Sequence, residues 1–114
     1  MSTQAQIQTA DADREEDAAD ALFKALGHRA RRRMLDALKG GPQTTGMLCA
    51  LMPELDRCTV MQHLGVLESA GLVIAERRGR ERWNHLDALP IHAIHERWIG
   101  PYAAYAASML ARLR

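Results

Sequence analysis

Asp56-Arg57-Cys58-Thr59-Val60-Met61-Gln62-His63-Leu64-Gly65-Val66-Leu67-Glu68-Ser69-Ala70-Gly71 is the stretch whose reading decides the fold. Val60, Leu64 and Leu67 stand at i, i+4 and i+7, the buried stripe of an amphipathic helix. Asp56 is suited to cap its N-terminus and Gly71 to end it, so a helix is predicted from Arg57 to about Ala70. At about 100° per residue, Cys58, Gln62, Gly65 and Ser69 fall opposite that stripe, with Thr59 and Met61 on its flanks. A solvated surface helix usually alternates Lys and Glu. This outer face carries no acid and, apart from Met61, no large aliphatic residue.

Upstream, Thr44 or Thr45 can cap a short helix running to about Met52, with Leu48 and Leu51 as its core residues. Pro53 ends it and forces a turn through Glu54-Leu55. Before it, a helix is predicted from about His28 to Lys39. Ala30, Met34, Ala37 and Leu38 face inward, and Arg29, Arg31, Arg32 and Arg33 lie mostly outside. Gly40-Gly41-Pro42 stops that helix. Another helix begins near Asp13, carries Ala18, Leu22, Ala25 and Leu26 at helical spacing, and ends at Gly27. Residues 1–12 are polar, small and aperiodic, the composition of a disordered leader.

Downstream the period changes. Leu72 to Ala75 is a short β-branched run, Arg78-Gly79 marks a turn, and Arg82 to Leu86 alternates. Trp83 and His85 share one face of that strand, and Arg82, Asn84 and Leu86 the other. The result is a β-hairpin whose tip carries Arg77, Arg78, Arg80 and Arg82. Past Asp87 the chain returns to helix, with Pro90 in its first turn. Ile91, Ile94, Trp98, Tyr102, Tyr105 and Met109 form one long apolar stripe, which Gly100-Pro101 should kink or divide. The expected fold is mainly α with a small β-hairpin wing (α+β), a winged helix-turn-helix of five or six helices. Residues 1–12 are then a disordered acidic leader, and residues 13–114 the DNA-binding domain with terminal dimerisation helices.

Composition fits this outline. A chain of 114 residues and 12.7 kDa holds one domain. With 4% aromatics, the core must be aliphatic and Ala-rich. The formal charge of +1 conceals an asymmetry. Residues 1–23 hold six acids and Arg14 alone, a charge of −5, while residues 24–114 carry fourteen Lys and Arg against eight acids, a charge of +6. A basic body points to a polyanionic partner. No apolar run reaches the roughly 18–20 residues of a membrane span, and no secretory signal is present, so a cytoplasmic location and no membrane partner are expected. Cys49 and Cys58 lack the neighbours of a structural zinc site, and no cofactor is expected.

The physics of the helix pair is direct. The major groove of B-DNA admits one α-helix and shows a distinct donor and acceptor pattern at each base pair. The second helix of the pair enters the groove and the first braces it. The candidate DNA-contacting residues are therefore Thr44, Arg57, Cys58, Thr59, Met61, Gln62 and His63, with Arg77, Arg78, Arg80 and Arg82 of the wing on phosphate or in the minor groove. Gln62 suits a bidentate pair with adenine, Thr59 can meet a thymine methyl, and Gly65 leaves room for a sugar-phosphate strand. About four phosphate contacts per subunit give a dimer a log-log salt slope near −7.

Phe23-Lys24-Ala25-Leu26-Gly27-His28-Arg29-Ala30-Arg31 and the run from Cys58 to Val73 resemble the ArsR-type bacterial transcriptional regulators, small winged-helix repressors. The likeness covers about Leu22 to Leu86 and continues more loosely through the last helix. Pro90 to Ile99 is similar to a subgroup whose effector is often unassigned. The resemblance implies a homodimer whose terminal helices pair and which represses by occluding a promoter, commonly its own. The candidate dimer residues are Leu22, Ile94, Trp98, Tyr102, Tyr105 and Met109. Two sensor motifs of the family are absent. The helix before recognition has Cys49 in place of a Cys-x-Cys pair, and Asp87-Ala88-Leu89 lacks the His of an Asp-x-His.

Several other readings remain open at this stage. Cys58, near a helix N-terminus and beside Arg57, is a candidate redox thiol, with Cys49 as its partner. His92 and His95, with Glu96 adjacent, could ligate a metal across a dimer. A protein-protein adaptor on the same fold is a third alternative. An enzyme is not expected, because Cys58 and His63 stand about 140° apart round their helix and no phosphate loop or paired carboxylates occur.

Overall fold

The structure, a computed structural model, describes residues 3–113. Helix α1 spans Thr3–Leu26 and α2 spans Arg29–Leu38. Strand β1 (Gln43–Thr44), α3 (Thr45–Leu51) and α4 (Arg57–Ser69) follow. Strands β2 (Val73–Arg78) and β3 (Glu81–Leu86) form the wing, and α5 (Leu89–Ile94), a π-helical turn (His95–Ile99) and α6 (Gly100–Arg112) complete the chain.

The start of α1 departs from the expected disordered leader. Thr3 to Ala12 is helical, and residues 1 and 2 lie outside the described residues. Ala and Gln are good helix formers, and no Gly or Pro interrupts this stretch, so local propensity carries the helix back without burial. Residues 5–18 are exposed throughout.

The core is the predicted stripe and its neighbours. Val60, Leu64 and Leu67 have no exposed surface, and they pack with Met34, Leu48 and Leu72. One expected core residue is corrected. Leu51 is 51% exposed, and Met52 is buried in its place. Met52 follows the end of α3 with φ of −129° and ψ of 65°, so it leaves the helical spacing and packs into the core before Pro53 turns the chain. On α2, Leu35 is buried and Ala37 only partly so.

Caps fall where polar side chains allow. Asp56 Oδ1 accepts the Thr59 N–H at 2.7 Å and holds the start of α4. The Thr44 hydroxyl accepts the Met47 N–H at 3.1 Å and caps α3. His28 Nδ1 accepts the Ala30 N–H at 3.1 Å and opens α2.

The sheet has one more strand than the predicted hairpin. Its order is β1-β3-β2, antiparallel throughout, with Gln43 opposite Asn84 and Thr44 opposite Trp83. Asn84 fixes this third strand. It is fully buried, and its side-chain amide donates to Gln43 O at 3.1 Å and Thr45 Oγ1 at 3.3 Å. Gly79, with φ of 61°, makes the wing turn.

The last helix is divided, as Gly100-Pro101 requires, and the break takes the form of a π-helical turn. The Gly100 N–H bonds to His95 O, five residues back. A Cβ at Gly100 would lie 2.8 Å from that oxygen, so the position needs glycine. Pro101 has no N–H and enters the first turn of α6, where none is needed.

Candidate nucleic-acid interface

Helix α4 presents the uncharged face expected of it. Arg57, Cys58, Met61, Gln62 and Ser69 are exposed, and Thr59 and Gly65 half-buried. The C-terminal half of this face does not stand alone. Gln62, Gly65 and Ser69 line a groove of about 460 Å³ whose other wall is Ala21 and Lys24 of α1. The freely projecting part of α4 is its first two turns.

Two of the expected contact residues are turned inward. Thr44 is buried, and its hydroxyl caps α3. His63 is half-buried on the side facing α2. Its ring centroid lies 4.4 Å from that of His28, and its Nδ1 accepts from Arg31 Nη1 at 3.2 Å. Burial, then the electrostatic influence of His28 and Arg31 beside it, lowers the His63 pKa from its ordinary 6.5. Five residues on from Cys58, it looks across to α2 and not along the free face of α4.

The wing arginines divide into two pairs. Arg82 donates from Nη2 to Glu68 Oε2 at 2.9 Å and from Nε to Asn84 Oδ1 at 3.1 Å, tying the wing to α4. Arg78 donates from Nε to Glu76 Oε1 at 2.7 Å, and its guanidinium lies 5.4 Å from the Trp83 ring centroid. Hydrogen bonding to Arg78 is the main reason the Glu76 carboxyl stays ionised below its usual range. Arg77 and Arg80 are exposed and have no hydrogen-bonded or ion-pair partner among the described residues, and the same holds for Arg57. Arg57, Arg80 and Arg82, with the single carboxylate Glu81, meet Thr45 and Gly46 around a cleft of about 270 Å³ between the wing and the starts of α3 and α4. Such a cleft can receive a phosphate group beside the exposed face of α4.

Three of the four arginines of α2 are structural, which the sequence did not reveal, while Arg29 is exposed and has no hydrogen-bonded or ion-pair partner among the described residues. Arg31 donates from Nε to Ala25 O and from Nη2 to Lys24 O, both at 2.8 Å, and Arg32 Nη1 donates to Leu26 O at 2.6 Å. These are carbonyls of the last turn of α1, which have no partner within the helix. Arg33 Nη1 bonds Glu54 Oε1 at 2.6 Å and clamps the turn before α4.

The candidate dimer residues also separate. Leu22 and Ile94 are buried in the core of the protomer itself. Trp98, Tyr102, Tyr105 and Met109 are exposed, Tyr105 by 62%. Trp98 packs edge-on against Phe23 at 5.7 Å and beside Tyr102 at 4.9 Å. No residue of α6 is buried.

Cys49 is half-buried against the core, Cys58 is exposed, and both are free thiols. His92 and His95 are exposed. Among the described residues no group of three or more His, Cys, Asp or Glu is placed to hold a metal ion, and no helix is long and apolar enough to cross a membrane.

Known proteins carry the same arrangement. Residues 26–75 match a helix-turn-helix domain family. Over 86 residues the chain is 36% identical to YuzN of Bacillus subtilis (strain 168), an uncharacterized HTH-type transcriptional regulator, covering 70% of this chain and 94% of the relative. It is 32% identical over 59 residues to the transcriptional repressor SdpR of the same strain, covering 52% of this chain and 64% of SdpR. The crystal structure of an ArsR family transcriptional regulator superposes with a TM-score of 0.71 at 26% identity, covering 82% of this chain and 94% of that one. The matched segment contains α3, the turn at Pro53 and α4, and the superposition covers most of the chain, so the chain belongs to the ArsR-type winged helix-turn-helix transcriptional regulators.

Proposed function

We propose that the protein is a homodimeric, sequence-specific double-stranded DNA-binding repressor, in which α4 reads bases in the major groove and the wing holds the backbone. The observation that carries this reading is an exposed first half of α4 that is uncharged after Arg57, with Arg57 and Arg80 on the cleft beside it and Arg77 exposed on the wing, all three without a partner among the described residues. Gln62 and Thr59 are the base-reading candidates, with Met61 and Cys58 lining the approach. Arg78 and Arg82 hold the shape of the wing. The likeness to SdpR supports repression over activation.

Exposed surface supports the dimer. The chain has 8150 Å² of accessible surface, where a compact monomer of its mass has about 6,200 Å². Its radius of gyration is 17.9 Å against about 13 Å for a compact chain of this length. The excess resides in the first half of α1 and in α6, whose Tyr102 and Tyr105 are largely uncovered within the protomer, as is the part of Trp98 that Phe23 does not meet. A second copy is the natural cover, since a single recognition helix reads only one half-site.

Fluorescence anisotropy with the DNA upstream of the protein's own coding sequence tests the reading. Saturable binding by a dimer, with affinity falling steeply as salt rises, is expected. Binding that is indifferent to salt and sequence would favour the adaptor reading instead. Sedimentation at micromolar concentration should give a dimer for the wild type and a monomer for Tyr105→Arg.

A further inference from the structure

A cavity of about 430 Å³ lies between α1, α5 and the π-helical turn, away from α4's free face and the wing. Its size falls in the lower part of the range of small-molecule sites. The walls are largely apolar, with Ala18, Ala19, Pro90 and Ala93 among them, and Glu15 and Arg97 are the only charged residues lining it. Four alanines in all contribute only methyl groups to its walls.

The charge at its edge is unbalanced. Arg97 Nη2 donates to Glu16 Oε1 at 2.9 Å, whereas its Nη1 stands 3.5 Å from Glu15 Oε2. Two carboxylates share one guanidinium, and Glu15, the one on the cavity wall, has the longer contact. A cation is the complement of that edge, and an apolar body is the complement of the walls. π-Helical turns recur at functional sites, and this one supplies Arg97 directly.

We propose that this cavity binds a small apolar amine, its ammonium group on the Glu15 carboxylate and its hydrocarbon body among the alanines. The site is independent of the DNA face, so its test needs no DNA.

Isothermal titration of the full chain with 2-phenylethylamine and, separately, with 3-phenylpropionate tests the proposal. One amine should bind per protomer, about fivefold or more tighter than the carboxylate, the span of one solvent-exposed charge pair. Glu15→Gln should bring the amine down to the level of the carboxylate. Ala93→Phe, at an exposed position on the wall, should fill the space and abolish binding while leaving the melting temperature near that of the wild type. Equal binding of the two probes, binding of neither, or full binding by Ala93→Phe overturns the proposal. So does a fourth pattern, in which the amine binds monomeric Tyr105→Arg but not the wild type, because a second copy of the chain then fills the cavity.

Discussion

Two arginine clusters of equal size, one on α2 and one on the wing, have unlike uses. Arg29, Arg31, Arg32 and Arg33 of α2 read as a basic face, and so do Arg77, Arg78, Arg80 and Arg82 of the wing. In α2, three of the four are tied into the protein, two of them on carbonyls of the last turn of α1. In the wing, the two residues nearest the turn on either side of Arg78 and Gly79 are free, and the other two are held by Glu76 and Glu68. A charge count therefore overstates the DNA-facing charge. What matters for phosphate binding is the number of guanidinium groups whose donors are still unused.

The largest effect that can break this contrast is in the salt dependence. If the free arginines of α4 and the wing, Arg57, Arg77 and Arg80, carry the phosphate contacts, six per dimer give a log-log slope near −5, shallower than the −7 expected from counting four contacts per subunit. Replacing both Arg77 and Arg80 by Ala should bring the slope to about −2 and leave the melting temperature unchanged. A slope that stays near −5 places the phosphate contacts elsewhere.

Next in size is Arg31→Ala. It removes two charge-assisted bonds to backbone carbonyls, at about 1.5–3 kcal/mol of stability for a bond of that kind. Denaturant titration should show that loss, and the folded variant should bind DNA with the wild-type salt slope. A reduced slope with unchanged stability would falsify the division between the two clusters.

Gln62→Ala sharpens the comparison from the other side. It should cost about 1–3 kcal/mol of affinity at one base position and leave the salt slope untouched. A uniform loss across all operator variants would mean that Gln62 contacts backbone and not a base.

The smallest effect is a pH dependence centred on the α2–α4 contact. His63 is held neutral in the fold, with its pKa below the ordinary 6.5. The unfolded chain then binds more protons than the folded one as pH falls below 6.5, so this residue's share of stability is present above that pH and lost beneath it. Thermal melts from pH 7.5 to 5.5 should show a decline that is shallower in His63→Gln. An identical decline in the variant assigns the effect to other groups.

Much of the fold is legible in local pattern. The Val60–Leu64–Leu67 stripe, the Asp56 cap and the Gly71 stop define α4 from neighbours a few residues apart, and the structure keeps them. The wing is legible for the same reason, since Arg82 to Leu86 alternates and Gly79 turns. The misses have physical causes as well. Strand β1 is two residues long and has no period of its own, and its pairing comes from Asn84, 41 residues away. Met52 replaces Leu51 because the short α3 is oriented by what it packs against. The π-helical turn is a compromise between a proline that cannot donate and a stripe that continues past it.

The sequence by itself determined the succession of elements, the apolar stripe of each long helix and the uncharged outer face of α4, because these depend on spacing along one element. Only the tertiary structure decided which arginines are free, that His63 turns toward α2, and that Leu22 and Ile94 belong to the core while Trp98, Tyr102 and Tyr105 do not. Those outcomes depend on which carbonyl, ring or carboxylate another element brings within about 3 Å of a side chain, and no spacing along the chain encodes that distance.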